Sequence, residues 1–283
     1  MRYDFAVVGG DRRQLCLAEI LKEKGNNIAL IGLDAEAECV SLDELRYCRY
    51  ALLPMPLESG AGMLSVPLSQ TPIRIADIAS ASEKGQIFFC GKATESAVKT
   101  LESRGAEVVD YFLCEELTVK NAAITAEGAI YAAMRDKKRT LFGAKCVVTG
   151  YGRIGKMLSA KLSALGADVT VAARKASDRS LAEFSGCKAV DFGGLARAVS
   201  DADIIFNTVP EHVFGEEEIG ALSDKCLFIE LASAPYGADM ERLRERINAI
   251  KEASLPGRYA PESAAEAIFD IVYHIMGKRG WSV

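Results

Sequence analysis

A glycine-rich segment, Gly150-Tyr-Gly152-Arg-Ile-Gly155, has the G-x-G-x-x-G spacing of a phosphate-binding turn. It follows an apolar run at 146–149 and opens a helical pattern at 154–165, the context in which this spacing is informative. In such a turn Gly150 bends the chain, Gly152 lets a pyrophosphate approach the backbone, and Gly155 lets helix and strand pack closely. The N–H groups and dipole of the helix N-terminus favour phosphate. The segment therefore predicts a nicotinamide-dinucleotide site formed by Gly150, Gly152, Arg153, Ile154 and Gly155, the alternative being a tight turn without a ligand.

The residues after the next predicted strand, at 168–172, bear on the choice of cofactor. NAD binding usually places Asp or Glu there to hold the ribose 2′-hydroxyl, whereas this chain has Ala172-Ala-Arg174-Lys175. Two cations in place of a carboxylate suit the 2′-phosphate of NADP, so Arg174 and Lys175 are predicted to bind it. NAD stays open as the alternative, because Asp178 could reach back and because such cations are often plain solvated residues.

Two later strand ends are predicted to border the nicotinamide and its ribose. Ligands of an open α/β sheet lie beyond the carboxyl ends of the strands, where this chain has Asn207-Thr-Val-Pro210 and Leu231-Ala-Ser233. Ordinary loop ends are the alternative, since Pro and Ser are common turn residues. The candidate cofactor-binding residues here are Thr208, Val209, Pro210, Ala232 and Ser233.

The first strand also ends in glycines, Gly9-Gly10-Asp11-Arg12-Arg13, but without the G-x-G-x-x-G spacing. A second dinucleotide is therefore not expected. Two glycines at a helix N-terminus with two arginines suit a substrate carboxylate. A glycine turn with an Asp N-cap and solvated arginines is an equally weighted interpretation.

Acid–base residues are scarce in the chain. His212 and His274 are its two histidines, and each fits a satisfied or solvent-facing side chain better than a catalyst. Glu58, Lys120 and Glu127 are further candidates near predicted domain edges, with surface charge as the alternative.

Alternating strands and helices must position these residues. Short apolar strands separated by helices indicate parallel sheets covered on both faces, and we predict an α/β fold of two doubly wound domains with a cleft between them, the second a Rossmann NAD(P)-binding domain. The predicted strands are 4–8, 27–31, 51–55, 87–90 and 107–111, then 145–149, 168–172, 203–207 and 227–230. The predicted domains are 1–120, a flavodoxin- or Rossmann-like substrate domain completed by a C-terminal helix at 261–277; 121–140, a connecting helix that Thr125 could N-cap; and 141–258, the cofactor domain.

Composition excludes several other classes of protein. The 283 residues are 49% hydrophobic and 26% charged, as expected of a globular protein with a real core. A net charge of −5 argues against a general nucleic-acid or anionic-membrane surface. Eight cysteines without a CxxC pair fit free thiols in a reducing cytoplasm, and no disulfide framework or metal site is predicted. No signal peptide or membrane-spanning run is recognised, so a cytoplasmic protein is expected.

Several segments together resemble one family, the A subunit of dipicolinate synthase from spore-forming bacteria. They run in the same order along almost the whole chain: Val7-Val-Gly-Gly-Asp-Arg-Arg-Gln-Leu15, Ile124-Thr-Ala-Glu-Gly128, Gly150-Tyr-Gly-Arg-Ile-Gly155, Ala172-Ala-Arg174, Asn207-Thr-Val-Pro210, Leu231-Ala-Ser233 and Leu255-Pro-Gly257 followed by Pro261. The opening and the Leu-Pro-Gly segments are more specific to this family than the glycine turn is.

The resemblance implies NADP-dependent oxidation of 4-hydroxy-tetrahydrodipicolinate or dihydrodipicolinate to dipicolinate, in the mother cell during sporulation. It also implies a flavoprotein-like partner, the B subunit of dipicolinate synthase, within a homo- or hetero-oligomer. A dicarboxylate substrate suits the cations Arg12, Arg13, Arg153 and Arg258. Glu127 and Arg12 are the catalytic candidates, and Gly10, Asp11, Arg12, Arg13, Thr125 and Arg258 the substrate candidates. The competing hypotheses are an NAD(P)-dependent 2-hydroxy- or amino-acid dehydrogenase, which needs a His–carboxylate pair, and a nucleotide-binding scaffold without catalysis.

Overall fold

A computed structural model describes residues 2–282 and divides the chain into two compact units. The first unit takes the residues up to Asn121 together with those from Pro256 onward, and the second is Ala122–Leu255. Each unit is built on its own sheet.

The first unit has a five-stranded parallel sheet and a short antiparallel hairpin. Its strands are β1 (Tyr3–Val8), β2 (Ile28–Ile31), β3 (Cys48–Leu52), β4 (Glu58–Gly60), β5 (Met63–Leu64), β6 (Ile87–Cys90) and β7 (Glu107–Asp110). The parallel sheet has the order β2-β1-β3-β6-β7, and β4 pairs with β5. Phe5 and Val7 of β1 join the core on one face, while Ala6 and Val8 join the core on the other. Both faces are therefore covered, which explains the continuous apolar strands.

The second unit has a six-stranded parallel sheet. Its strands are β8 (Lys145–Thr149), β9 (Asp168–Ala172), β10 (Lys188–Val190), β11 (Ile204–Asn207), β12 (Leu227–Glu230) and β13 (Asn248–Lys251). The order β10-β9-β8-β11-β12-β13 is the 3-2-1-4-5-6 order of dinucleotide-binding sheets. The order reverses between β8 and β11, so a ligand is expected beyond the carboxyl ends of these two strands.

Helices cover both sheets. They are α1 (Arg12–Glu23), α2 (Ile75–Ala81), α3 (Glu95–Glu102), α4 (Glu115–Lys137), α5 (Arg153–Ala164), α6 (Ala176–Phe184), α7 (Leu195–Val199), α8 (Glu216–Ala221), α9 (Met240–Arg244), α10 (Leu255–Tyr259) and α11 (Pro261–Arg279). Helices α1 and α11 share one apolar core with the first sheet, to which Leu17 and Ile268 contribute. Helix α11 begins with Pro261, whose missing N–H has no partner to lose at that position, and ends at the left-handed Gly280.

The predicted fold class, two α/β domains built on parallel sheets, is confirmed, and some element bounds are wrong. The strand predicted at 51–55 is β3, which ends at Leu52 because Pro54 and Pro56 have no N–H for a ladder. The connecting helix predicted at 121–140 is α4, which begins earlier, at Glu115, and ends at Lys137. Thr125 therefore lies buried inside α4, and its prediction as an N-cap is wrong.

Candidate functional site

The glycine turn after β8 leaves room for a phosphate at one glycine and none at the others. Gly150 has a φ of +87°, which favours glycine, and a Cβ there would lie 2.6 Å from Thr208 Oγ1. A Cβ on Gly155 would lie 2.2 Å from the Gly150 carbonyl oxygen. A Cβ on Gly152 would meet nothing within 4 Å. Gly152 is also the N-cap of α5 and offers no side chain to the first N–H groups of that helix. These groups can hold the pyrophosphate of a dinucleotide, with Arg153 and Ile154 in the same first turn.

Cations surround the end of β9. Arg174 and Lys175 are exposed, and Arg174 Nη1 lies 3.4 Å from Glu211 Oε2 in a solvent-exposed ion pair. Arg179 turns back from α6 and donates from Nη1 to the carbonyl oxygens of Ala173 (2.9 Å) and Arg174 (2.8 Å). Arg179 was not predicted from the sequence, although it lies one helical turn after Lys175. The group can hold the 2′-phosphate of NADP, while Glu211 supplies a carboxylate from a different strand end.

The ends of β8, β11 and β12 are joined by buried hydrogen bonds. Thr149 Oγ1 donates to Asn207 Oδ1 (2.5 Å), and Thr208 Oγ1 donates to the Thr149 carbonyl oxygen (2.7 Å). Asn207 Nδ2 donates to Glu230 Oε1 (2.7 Å) and to the Val209 carbonyl oxygen (3.0 Å). Asn207 and Glu230 are both completely buried. The predicted cofactor residues Thr208 and Val209 are thus fixed beside the glycine turn, and Pro210 follows them at the surface.

The loop after β12, at 231–237, carries the predicted residues Ala232 and Ser233. The Ala232 N–H donates to Glu230 Oε1 (2.9 Å), which holds the start of the loop. Tyr236 has a φ of +68°, and Lys251 Nζ lies 3.9 Å from the centre of its ring. A cavity of about 430 Å³ adjoins the end of this loop and is lined by Tyr236, Lys251 and His212, among others.

At the carboxyl end of β1 the structure separates two arginines that the sequence treats alike. Arg13 is buried and forms a double hydrogen bond with Asp11, from Nε to Oδ1 and from Nη2 to Oδ2, each 2.9 Å. Its Nη2 also donates to the Met55 carbonyl oxygen (2.5 Å). Arg12 is exposed and pairs with Glu36 (3.2 Å). Asp11 does cap α1, as one interpretation expected, but a solvated Arg13 is wrong.

Gly257 lies against this first strand end. A Cβ on Gly257 would lie 2.3 Å from Asp11 Oδ2, so only glycine allows the approach. Arg258 follows at the surface and stacks on Tyr259, with its guanidinium carbon 5.1 Å from the ring centre. Gly10, with a φ of +90°, completes the edge.

Lys92 is a cation at the same edge that the sequence did not single out. It follows β6, has a φ of +56°, and places Nζ 4.8 Å from the centre of the Phe112 ring. The residue as a whole is exposed, yet desolvation of its ammonium group, with the Arg13 charge, lowers the pKa of Lys92. A carboxylate bound here would relieve the repulsion between the two cations.

The acid–base candidates are engaged in contacts of their own. Glu127 lies in α4 with 66% of its side chain exposed and pairs with Lys161 (2.7 Å). Glu58 accepts hydrogen bonds from Thr94 Oγ1 (2.6 Å) and the Gly62 N–H (3.0 Å). Lys120 pairs with Asp270 (2.9 Å).

Several properties of the described residues bear on the other hypotheses. Neither histidine forms an ion pair within residues 2–282. In the same residues no group of His, Cys, Asp or Glu side chains could hold a metal ion. All eight cysteines are free thiols. No helix in the described part of the chain is long and apolar enough to cross a membrane.

Comparison with known proteins finds a match for each unit. Residues 4–112 match the sequence model of the N-terminal domain of the dipicolinate synthase A subunit. Residues 114–248 match that of the D-isomer specific 2-hydroxyacid dehydrogenase, NAD binding domain. The A subunit of dipicolinate synthase from Bacillus subtilis is 26% identical over 284 residues, covering 96% of this chain and 95% of that protein.

Two solved structures extend the comparison. The crystal structure of the dipicolinate synthase A subunit from Bacillus subtilis superposes with a TM-score of 0.82 at 26% identity, covering 98% of this chain and 97% of the other. The corresponding protein of Bacillus halodurans superposes with a TM-score of 0.85 at 26% identity, covering 96% and 97%. The similarity therefore spans the whole architecture.

Proposed function

We propose, from its similarity to the dipicolinate synthase A subunit in sequence and in structure, that the chain is a member of that family. Its reaction would be the oxidation of 4-hydroxy-tetrahydrodipicolinate, or of the dihydrodipicolinate formed from it by loss of water, to dipicolinate. The hydride acceptor is NADP, with NAD as the alternative. The partner is the flavoprotein-like B subunit of dipicolinate synthase, and the setting is the mother cell during sporulation. The observation that carries the proposal is the similarity to the A subunit over 96% of the chain.

The second unit would hold the cofactor, as expected for an NAD(P)-dependent oxidoreductase with a dehydrogenase-type NAD-binding domain. The pyrophosphate fits the open space at Gly152, because the first N–H groups of α5 carry no side-chain cap. The 2′-phosphate would lie among Arg174, Lys175 and Arg179. The nicotinamide half would lie against Thr208, Val209, Pro210, Ala232 and Ser233. When bound, the oxidised cofactor accepts a hydride from the substrate.

The cations of the first strand end suit a dicarboxylate substrate. Arg13 is held in place by Asp11 and Met55, so its guanidinium is preorganised and would bind a carboxylate with little loss of side-chain entropy. Lys92 and the exposed Arg258 would meet the same substrate, with Gly10 at the same strand end. Forming dipicolinate from 4-hydroxy-tetrahydrodipicolinate releases one water, one proton and one hydride, and forming it from dihydrodipicolinate releases one proton and one hydride.

The residues proposed from the sequence to act on the substrate remain Glu127, Arg12 and Thr125. Glu127 and Arg12 would each have to leave an exposed partner, Lys161 or Glu36. Exposed ion pairs are worth about 0.2–1 kcal/mol, so binding a charged substrate can offset their loss. Loss of the aromatisation step in Glu127→Gln, with cofactor binding intact, is expected if Glu127 moves the proton.

The test combines the purified chain, the B subunit, the substrate and NADP or NAD. Dipicolinate and the reduced nicotinamide are followed together by absorbance, and each of the two proteins is omitted in turn. The proposal predicts both products only with substrate and cofactor present, and faster with NADP than with NAD. Absence of reduced nicotinamide in every combination of the proteins would overturn the hydride role.

Each alternative function has its own discriminating result. A 2-hydroxy- or amino-acid dehydrogenase needs a His–carboxylate pair, which His212 does not form among the described residues. Replacing His212 with Asn would abolish its activity and leave a dipicolinate synthase intact. A nucleotide-binding scaffold would bind the cofactor tightly, yet keep the activity of the complex unchanged in Arg12→Ala and Glu127→Ala.

A further inference from the structure

Glu230, the last residue of β12, has a completely buried side chain that accepts three hydrogen bonds. Oε1 accepts from Asn207 Nδ2 (2.7 Å) and from the Ala232 N–H (2.9 Å), and Oε2 accepts from the Gly237 N–H (3.0 Å). All three partners are donors, and the ionised carboxylate, which only accepts, suits them best. A protonated carboxyl group would point its hydrogen at another donor.

The bonds of Glu230 fix both ends of one loop. Ala232 lies at the start of the 231–237 loop and Gly237 at its end. Through Asn207 the same carboxylate is connected to Thr149, the residue before the glycine turn, and to Val209. A single hydrogen-bonded chain therefore joins the three strand ends that carry the proposed cofactor contacts.

Close packing shows that this arrangement has little freedom. A Cβ on Gly237 would lie 2.3 Å from Asn207 Nδ2 and 2.7 Å from its Oδ1. The backbone of the loop therefore rests directly on the amide that Glu230 holds. A shift of the Asn207 amide must displace the loop, because interiors packed this tightly transmit small movements.

We propose that Glu230 is a positioning residue, whose buried carboxylate holds the 231–237 loop in the place that receives the nicotinamide half of the cofactor. The inference rests on the proposed cofactor site. It goes beyond that site because it makes binding of the nicotinamide half depend on one ionisable group. The adenosine half would bind at the glycine turn and near Arg174, outside this loop. Loss of the carboxylate therefore weakens the whole dinucleotide more than its adenosine fragment.

Because the loop is held by an ionisable side chain, its position should depend on pH. Burial raises the pKa of Glu230, while its three donors and the nearby Lys251 of β13 act in the opposite direction. The neighbouring elements also contribute the uncharged amide of Asn207, from β11, and the phenol of Tyr236, from the loop itself. Acidification therefore protonates Glu230 at a higher pH than it would an ordinary glutamate. As the carboxylate is lost, binding of the nicotinamide half declines.

The experiment compares two ligands in matched variants. NADPH binding is measured by its fluorescence, and binding of 2′,5′-ADP, which lacks the nicotinamide half, by calorimetry. The variants are Glu230→Gln, which replaces an acceptor oxygen with a donor; Glu230→Asp, which keeps the charge; and Glu217→Gln, an exposed control in the same unit. Gly237→Ala displaces the loop from its other side and serves if Glu230→Gln does not fold.

Glu230→Gln is expected to lower the affinity for NADPH about tenfold or more, because the amide N–H of the new side chain then faces one of the three donors. The affinity for 2′,5′-ADP should change by no more than about twofold. Glu230→Asp should recover part of the loss, Gly237→Ala should reproduce it, and Glu217→Gln should match the wild type. The acidic decline in NADPH affinity should disappear in Glu230→Gln. Equal weakening of both ligands, or of neither, would overturn the positioning role. Wild-type protein that binds neither ligand would overturn the proposed function itself and the inference with it.

Discussion

Alanine at Gly155 should mainly reduce stability and alanine at Gly152 should mainly reduce cofactor binding, although both glycines belong to one turn. A Cβ at Gly155 would lie 2.2 Å from the Gly150 carbonyl oxygen, far inside the contact distance of about 3.5 Å for heavy atoms. A backbone oxygen cannot rotate away, so Gly155→Ala should cost about 1–3 kcal/mol or more. That corresponds to an unfolding temperature lower by roughly 2–12 °C. Gly152 has extended backbone and open space, so Gly152→Ala should change stability by less than about 1 kcal/mol.

Cofactor binding should reverse that order of severity. The open space at Gly152 is where the pyrophosphate must approach, so Gly152→Ala should weaken NADPH about tenfold or more, which is about 1.4 kcal/mol or more. The assay combines thermal unfolding by circular dichroism with NADPH titration followed by fluorescence. Gly220→Ala in α8, where a Cβ meets nothing within 4 Å, is the control for both measurements. A Gly152→Ala protein that keeps wild-type NADPH affinity would refute the assignment of the turn, and an undiminished stability of Gly155→Ala would refute the close packing.

Three further predictions follow from single side chains. Arg174→Ala should lower the affinity for NADPH at least about fivefold and that for NADH less than about twofold, since only the 2′-phosphate needs the cation. Equal losses of affinity in a paired titration would count against NADP. Lys92→Met should raise the KM for the dicarboxylate about tenfold with little change in NADPH affinity, because it removes a charge-assisted contact of about 1.5–3 kcal/mol; an unchanged KM would remove Lys92 from the substrate site. Burial raises the pKa of Glu230, so the protonated side chain costs no charge burial below its ordinary value of 4.5, and ionising it costs folding free energy as pH rises through the folded value. The stability of the wild type relative to Glu230→Gln should therefore decline with rising pH in chemical denaturation, and a constant difference would contradict that direction.

The glycine turn could be predicted from sequence because its geometry is local. Strand, turn and helix follow one another within a few residues, and the roles of Gly150 and Gly155 depend on their immediate neighbours. The α/β fold was predictable for the same reason, since apolar strands and helices alternate clearly. The short edge strands β10 and β13 were missed, because runs of three or four residues carry little periodic signal.

The remaining site residues depend on contacts between distant parts of the chain. Arg13 points inward and donates to the Met55 carbonyl oxygen, a partner that the residues next to Arg13 in the sequence do not predict. Glu230 reads as the polar end of an apolar strand until sheet pairing places it opposite Asn207. Lys92 becomes a candidate only when its ammonium is found near Arg13. Spacing alone cannot supply such pairings.

The ratio of reduced nicotinamide to dipicolinate tests the central proposal most directly. The chain and its proposed partner, the B subunit of dipicolinate synthase, are mixed with substrate and NADP, and both products are quantified at several times. Because aromatisation of the substrate removes two electrons as one hydride, the account predicts one NADPH for each dipicolinate throughout the reaction. Dipicolinate formed at the same rate without NADPH would contradict it, and would leave the chain as a nucleotide-binding protein rather than the one that passes on the hydride.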